Sequence, residues 1–147
     1  MYKRILVATD GSKLSNKAVE QALKLAEVTG AELVALKVVP RYPQTYFEGG
    51  VALANAEVEK IEKQWQEEAK VIVAAVQAAG QKRAVKVKPV TVKSDLIAEA
   101  IIAGAKRNKC DLIVMASHGR RGLKRLLLGS ETQQVLTHSH TPVLVLR

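Results

Sequence analysis

Five short apolar, largely β-branched runs punctuate the chain, at residues 4–9, 32–39, 85–92, 111–116 and 142–146. All but the third are runs of consecutive apolar residues rather than strict alternations. Strands covered on both faces read that way, which predicts a parallel sheet sandwiched by helices. The third run, Val85-Lys86-Val87-Lys88-Pro89-Val90, alternates and contains a proline, so it is expected at an edge. Between the runs the period changes to that of helices. Residues 12–29 read as one helix, capped at Ser12 or Ser15 and closed by Gly30. Ala54, Val58, Ile61, Trp65, Ala69, Ile72 and Val76 make one stripe on a long amphipathic helix that is predicted to stop at Gly80, with Trp65 packed in the core. Residues 96–106 form a third helix with Ser94 or Asp95 as its N-cap, and Ser130 opens a fourth that runs to Thr137. Residues 40–51, rich in Pro and Gly, are a long loop of the kind that is often functional.

Strand–helix alternation of this regularity implies right-handed βαβ units. The predicted fold is a single doubly wound α/β domain over residues 1–147. It has a five-stranded parallel sheet in the order 3-2-1-4-5 and helices on both faces. In such a sheet ligands lie outside the carboxyl ends of strands one and four, where the winding direction reverses. That places Thr9-Asp10-Gly11-Ser12 opposite the segment from Ala116 to Ser130.

Composition narrows the function. The 48% hydrophobic content supports an ordinary core, and the 3% aromatic content makes it an aliphatic one. Few aromatics also argue against single-stranded nucleic acid held by base stacking. No apolar run approaches the ~18 residues of a membrane span. The lone Cys110 cannot pair internally, so a reducing, cytoplasmic setting and a buried thiol are expected. The net charge of +9 is uneven: residues 1–80 hold ten Lys/Arg and ten Asp/Glu, and residues 81–147 hold thirteen and four. An anionic partner for the second half follows, of unspecified kind.

The segment 116–130 has the makings of a phosphate cradle. Gly119, Gly122 and Gly129 allow close approach of main-chain amides to an anion. Gly129-Ser130 opens a helix, whose amino end favours phosphate. Arg120, Arg121, Lys124 and Arg125 add positive charge. The spacing fits neither a Walker A loop nor a dinucleotide fingerprint. The same residues also suit a glycine-containing loop with a solvated basic face. Asp10 is open to two readings: a contact to a ribose hydroxyl or metal-bound water, or a cap on the first helix. His138 and His140 lack a carboxylate or cysteine nearby in sequence, so no metal site is assigned, and a helix C-terminal position accounts for His138. His118 lies in the cradle loop without a nucleophile and third partner, so no catalytic residue is assigned.

Taken together, these stretches resemble the universal stress protein family over essentially the whole chain. The resemblance is carried by Ile5-Leu6-Val7-Ala8-Thr9-Asp10-Gly11-Ser12, by Cys110 through Gly119, by Leu128-Gly129-Ser130 and by Thr141-Pro142-Val143-Leu144-Val145. Nucleotide-binding members carry Gly-x-x-Gly, nine residues, then Gly-Ser or Gly-Thr; Gly119, residues 120–128 and Gly129-Ser130 match it. The resemblance implies binding of ATP or AMP, with Mg²⁺ or Mn²⁺ beside ATP in some members. It implies adenine against the main chain of Val38, with Ala8, Thr9 and Asp10 near base and ribose. Ala116, Ser117, His118, Gly119, Arg120, Arg121 and Gly122 would line ribose and phosphates, and Ser130, Glu131 and Thr132 would close on the phosphates. It further implies a homodimer through the last strand, Val143–Leu146. Two departures stand out: Ala116 replaces the first glycine of the motif, and Asp95-Leu96-Ile97 replaces a Gly-x-Pro turn. The expected role is a stress-response regulatory module with an unidentified protein partner. A slow ATP hydrolase and a basic nucleic-acid binder are the alternatives, nucleic acid being the less expected partner and a membrane not expected.

Overall fold

The chain alternates strand and helix: β1 (Arg4–Ala8), α1 (Lys13–Thr29), β2 (Glu32–Val39), α2 (Asn55–Gln81), β3 (Val87–Lys93), α3 (Ile97–Arg107), β4 (Leu112–Ala116), α4 (Ser130–His138) and β5 (Val143–Leu146). This is a computed structural model that describes residues 1–43, 55–119 and 127–147. The five strands form one sheet, all parallel, in the order β3-β2-β1-β4-β5. The fold predicted from the hydrophobic pattern is the one observed. Winding runs outward from β1 to β3 and then reverses, so right-handed crossovers put α1 and α2 on one face and α3 and α4 on the other. Alternation in the central strand serves both layers: Ile5 and Val7 pack under α1 and α2, and Leu6 packs under α3 and α4. All three are fully buried, which is why this strand is a continuous apolar run.

Local chemistry sets the helix ends. Ser12 is the N-cap of α1, its hydroxyl accepting the Ser15 amide at 3.3 Å. At α3 the expectation of a Ser94 or Asp95 cap is not met. The cap position is Leu96, with no side-chain hydrogen bond. Ser94 Oγ accepts the Leu96 amide at 3.1 Å in a tight turn, and Asp95 Oδ1 accepts the Arg41 amide at 2.9 Å. Asp95 therefore ties the segment after β2 to the end of β3. Three helices finish on a left-handed residue that lets the next amide bond back five residues: Gly30 after α1, Ala84 after α2 and Lys109 after α3.

Several boundaries differ from the sequence reading. β3 spans Val87–Lys93 instead of 85–92, because Val85 is held by Gly80 O at 2.9 Å in the α2–β3 turn. Gly80 does not stop α2, which runs through Gln81. Trp65 does not join either core cluster; it is half-buried and stacks on Tyr42, ring centroids 6.1 Å apart. β3 does lie at the sheet edge with Pro89 in it. Ala54 and residues 44–51 of the long loop lie outside the described residues.

Cys110 is buried, as expected from its apolar context. Burial pushes its thiol up to about 11, with Arg4 acting in the opposite direction. At pH 8 only about one thiol in a thousand is then ionised, and the thiolate is the reactive form. A disulfide reagent at pH 8 is expected to leave Cys110 unmodified in the native protein and to titrate it rapidly in denaturant. Native labelling as fast as a free peptide thiol would contradict this assignment.

Candidate nucleotide site

The site assembles where β1 and β4 end side by side. After Ala8 the backbone turns sharply: Thr9 donates its amide to Leu36 O at 3.0 Å, and Gly11 takes φ +80°. Thr9 is buried, and its Oγ1 lies 3.2 Å from Ser15 Oγ, which itself donates to Ser12 O at 3.0 Å. Ser15 thus pins the turn to the first turn of α1. The sequence offered Ser15 only as an alternative cap, and the Ser-x-x-Ser spacing was the one signal available. Asp10 does not cap the helix, since Ser12 does. Its Oδ1 accepts the Ser12 amide at 2.9 Å, fixing the carboxylate on the strand end.

Across the crevice, β4 passes into Ser117, His118 and Gly119. A Cβ added to Gly119 would fall 2.7 Å from Asp10 Oδ2. The two strand ends therefore meet there, and a side chain at 119 would have to push the Asp10 carboxylate aside. Gly129 is close-packed for the same reason: a Cβ would sit 3.2 Å from Ser117 O and 3.3 Å from His118 Cα. Neither glycine has positive φ; close approach, not a left-handed turn, requires them. Ala116 is also free of positive φ and pairs with Leu146 in the ladder, so its methyl group causes no backbone strain.

Hydrogen bonds lock α4 onto the end of β4. Gly129 donates to Ser117 O at 2.7 Å, and Ser117 donates to Leu146 O at 2.7 Å. Thr132, almost fully buried, donates its hydroxyl to Ala116 O at 3.0 Å or Ser117 O at 3.1 Å. Its side chain thus braces the strand end, leaving its main chain at the helix opening. The first intrahelical bond is Gln133 to Gly129, so the amides of Ser130, Glu131 and Thr132 have no partner within α4. Ser130 Oγ donates to Glu131 Oε2 at 3.0 Å. Ser117 Oγ and His118 Nδ1 are 3.2 Å apart. The positive end of α4 and the Asp10 carboxylate thereby flank one strand-end crevice.

Val38 bounds the crevice on the β2 side. β1 ends opposite Leu36, so Val38 extends past it. Strand alternation turns the Val38 carbonyl toward the β1 side, as it does that of Leu36, and the carbonyl accepts Lys37 Nζ at 3.0 Å. Next to the crevice, not within it, a shallow open depression of about 480 Å³ is lined by Arg41, Tyr42, Pro43, Glu62 and Asp95. Arg120, Arg121 and Gly122 lie outside the described residues. Among the described residues, no group of three or more His, Cys, Asp or Glu is arranged to hold a metal. No described helix is long and apolar enough to cross a membrane.

The model of the universal stress protein family matches residues 1–147. A universal stress protein of Methanocaldococcus jannaschii, MJ0531, is 34% identical over 147 residues, a match that covers all of this chain and 83% of that protein. Universal stress protein UspA from Lactobacillus plantarum superposes with a TM-score of 0.83 at 26% identity, covering 99% of this chain and 98% of that one. A universal stress protein solved in complex with cAMP superposes with a TM-score of 0.72 at 25% identity, covering 99% and 97%.

Proposed function

This chain belongs to the universal stress protein family, and from that premise we propose that it binds an adenine nucleotide, ATP or AMP, in the crevice between β1 and β4. The observation that carries this reading is the contact of Gly119 with the Asp10 carboxylate, at a strand end that the opening of α4 also touches. It brings together three things a nucleotide needs: a carboxylate to accept from ribose hydroxyls, a main chain bare of side chains, and helix amides for an anion. The base lies against the main chain of Val38. The phosphates run from Gly119 toward Ser130, Glu131 and Thr132, with Arg120, Arg121 and Gly122 completing the cradle. The cAMP complex of a structural relative supports an adenylate ligand. With a triphosphate, Mg²⁺ or Mn²⁺ would accompany the ligand and offset phosphate charge, and Asp10 is the carboxylate that would face it. The protein acts as a regulatory homodimer in the cytoplasm, pairing through Val143–Leu146. That strand is at the sheet edge, and Leu144 is exposed there.

Protein purified without added nucleotide and then denatured is expected to release adenylate, read by mass spectrometry. Calorimetry provides the quantitative test. Hydrogen bonds to a charged group contribute about 1.5–3 kcal/mol each. ATP is therefore expected to bind roughly tenfold or more tightly than adenosine, in line with one or two such bonds. Equal affinities for the two would remove the phosphate role assigned to Gly119 and the start of α4.

A further inference from the structure

The uneven charge of the chain is only partly absorbed by the nucleotide site. Of the thirteen Lys/Arg in residues 81–147, four lie at 120–125, in the sequence segment between Gly119 and Gly129. Seven others, at 82, 83, 86, 88, 106, 107 and 109, sit at the opposite pole, where α2 and α3 end and β3 and β4 begin. Along the starts of the strands the charges alternate and cancel. Lys86 and Arg4 flank Glu32, and Asp111 accepts the Lys3 and Arg4 amides. Arg83 is neutralised by Glu20 and Glu27 of α1.

Lys82 also lacks an ion pair among the described residues, but only Lys88, Lys106, Arg107 and Lys109 gather at the α3–β4 turn. Among the described residues none of the four makes an ion pair. Lys88 Nζ reaches only the neutral Asn108 Oδ1, at 2.8 Å. Asn108 joins the others, since it caps the helix that carries Lys106 and Arg107 and precedes Lys109. Lys109 has φ +55°, a conformation that glycine adopts far more easily. A lysine is thus held in a strained backbone beside three more uncompensated cations. The two described hollows lie elsewhere, at the carboxyl ends of β2 and β3 and beside α1. No described aromatic side chain belongs to the cluster.

We propose that this pole binds the phosphate backbone of a nucleic-acid duplex, without reading its sequence. A cluster of exposed cations fits a rod of regularly spaced phosphates, whereas single strands need stacking platforms. The site is independent of the crevice at the other end of the sheet. It gives the nucleotide module a surface that stays accessible when nucleotide is bound and, in a dimer paired through β5, one copy on each subunit.

Fluorescence anisotropy with labelled 20-base-pair DNA and RNA duplexes over a salt series tests it. Binding in the micromolar range at about 100 mM salt is expected, with a slope of log affinity on log salt of roughly −3 or steeper. The variant Lys106→Gln/Arg107→Gln/Lys109→Gly is expected to bind roughly tenfold or more weakly, with the slope flattened by roughly 2 to 3. Lys109→Gly alone relieves the strained backbone. It is therefore expected to raise Tm while weakening binding, which separates lost contact from lost folding. Preference between the DNA and RNA arms identifies the source of the phosphates. Unchanged affinity in the triple variant overturns the proposal. So does loss confined to Arg120→Gln/Arg121→Gln/Lys124→Gln/Arg125→Gln, which would assign the polyanion to the nucleotide loop. Capture by phosphatidylserine vesicles without duplex binding would also overturn it.

Discussion

Gly119→Ala is expected to weaken ATP binding by tenfold or more while leaving the fold intact. The added methyl would sit 2.7 Å from Asp10 Oδ2, well inside van der Waals contact. Something must move, and the side chains offer little slack. Asp10 is short, and its other oxygen is tied to the Ser12 amide at 2.9 Å. Rotating the carboxylate away breaks that bond and removes the acceptor assigned to ribose. Moving residue 119 instead pulls the main chain out of the cradle. Either relaxation costs the ligand more than the fold, because Gly119 is exposed and makes no ladder hydrogen bond. Calorimetric titration with ATP, set beside a thermal melt, reads both quantities. An unaltered dissociation constant would show that the approach of the two strand ends is irrelevant to binding.

Much of this architecture is legible from the residues alone, for a physical reason. Strands such as Ile5-Leu6-Val7 and Leu112-Ile113-Val114-Met115 are buried on both faces, and burial writes itself into the sequence as uninterrupted apolar runs. Four such runs and one alternating run between helical periods leave few sheet orders, although the last of the four, β5, proves to be a partly exposed edge strand and is not covered on both faces. The crevice follows from the reversal of winding, so Asp10 and Gly119 can be placed opposite each other before any coordinates. Short-range bonds between particular atoms are less legible. Nothing in the pattern says that Ser15 holds Thr9, that Thr132 turns its hydroxyl back to β4, or that Asp95 is claimed by the Arg41 amide instead of by α3. Those choices depend on distances between segments far apart in sequence, decided by packing after the fold is set. The two glycines of the cradle are instructive. Sequence marks them as places where main-chain amides can approach an anion, and the structure shows that their φ angles are ordinary and that the close approach is to Asp10, Ser117 and His118, through the absence of a Cβ.

Gly80 makes the same point with a larger energy attached. Read as punctuation, it is a helix stop, but α2 runs past it, and by helix propensity alone replacing it there should help. Alanine in a helix interior is favoured over glycine by about 1 kcal/mol. The structure reverses that sign. Gly80 is buried within α2, and a Cβ there would lie 2.3 Å from Val87 Cγ2 and 2.9 Å from Val85 O. The first neighbour is a β-branched side chain with little rotameric freedom, and the second is backbone. Neither can yield without shifting β3, whose ladder to β2 is fixed in register from Leu33–Val87 onward. Val85 is moreover anchored to Gly80 O itself, at 2.9 Å, so the turn cannot open independently of the helix. Overpacking of this kind costs about 1–3 kcal/mol or more, which outweighs the gain in helix propensity. Gly80→Ala is expected to lower Tm by several degrees, of the order of 2–8 °C for a domain of this size, and Gly80→Val by more. Ala84, which holds the left-handed position that ends this turn at φ +56°, provides the opposite case: Ala84→Gly should be neutral or stabilising. Melting curves for the three variants therefore decide which residue terminates α2. If Gly80→Ala stabilised the protein and Ala84→Gly did not, the close approach of α2 to β3 would be wrong.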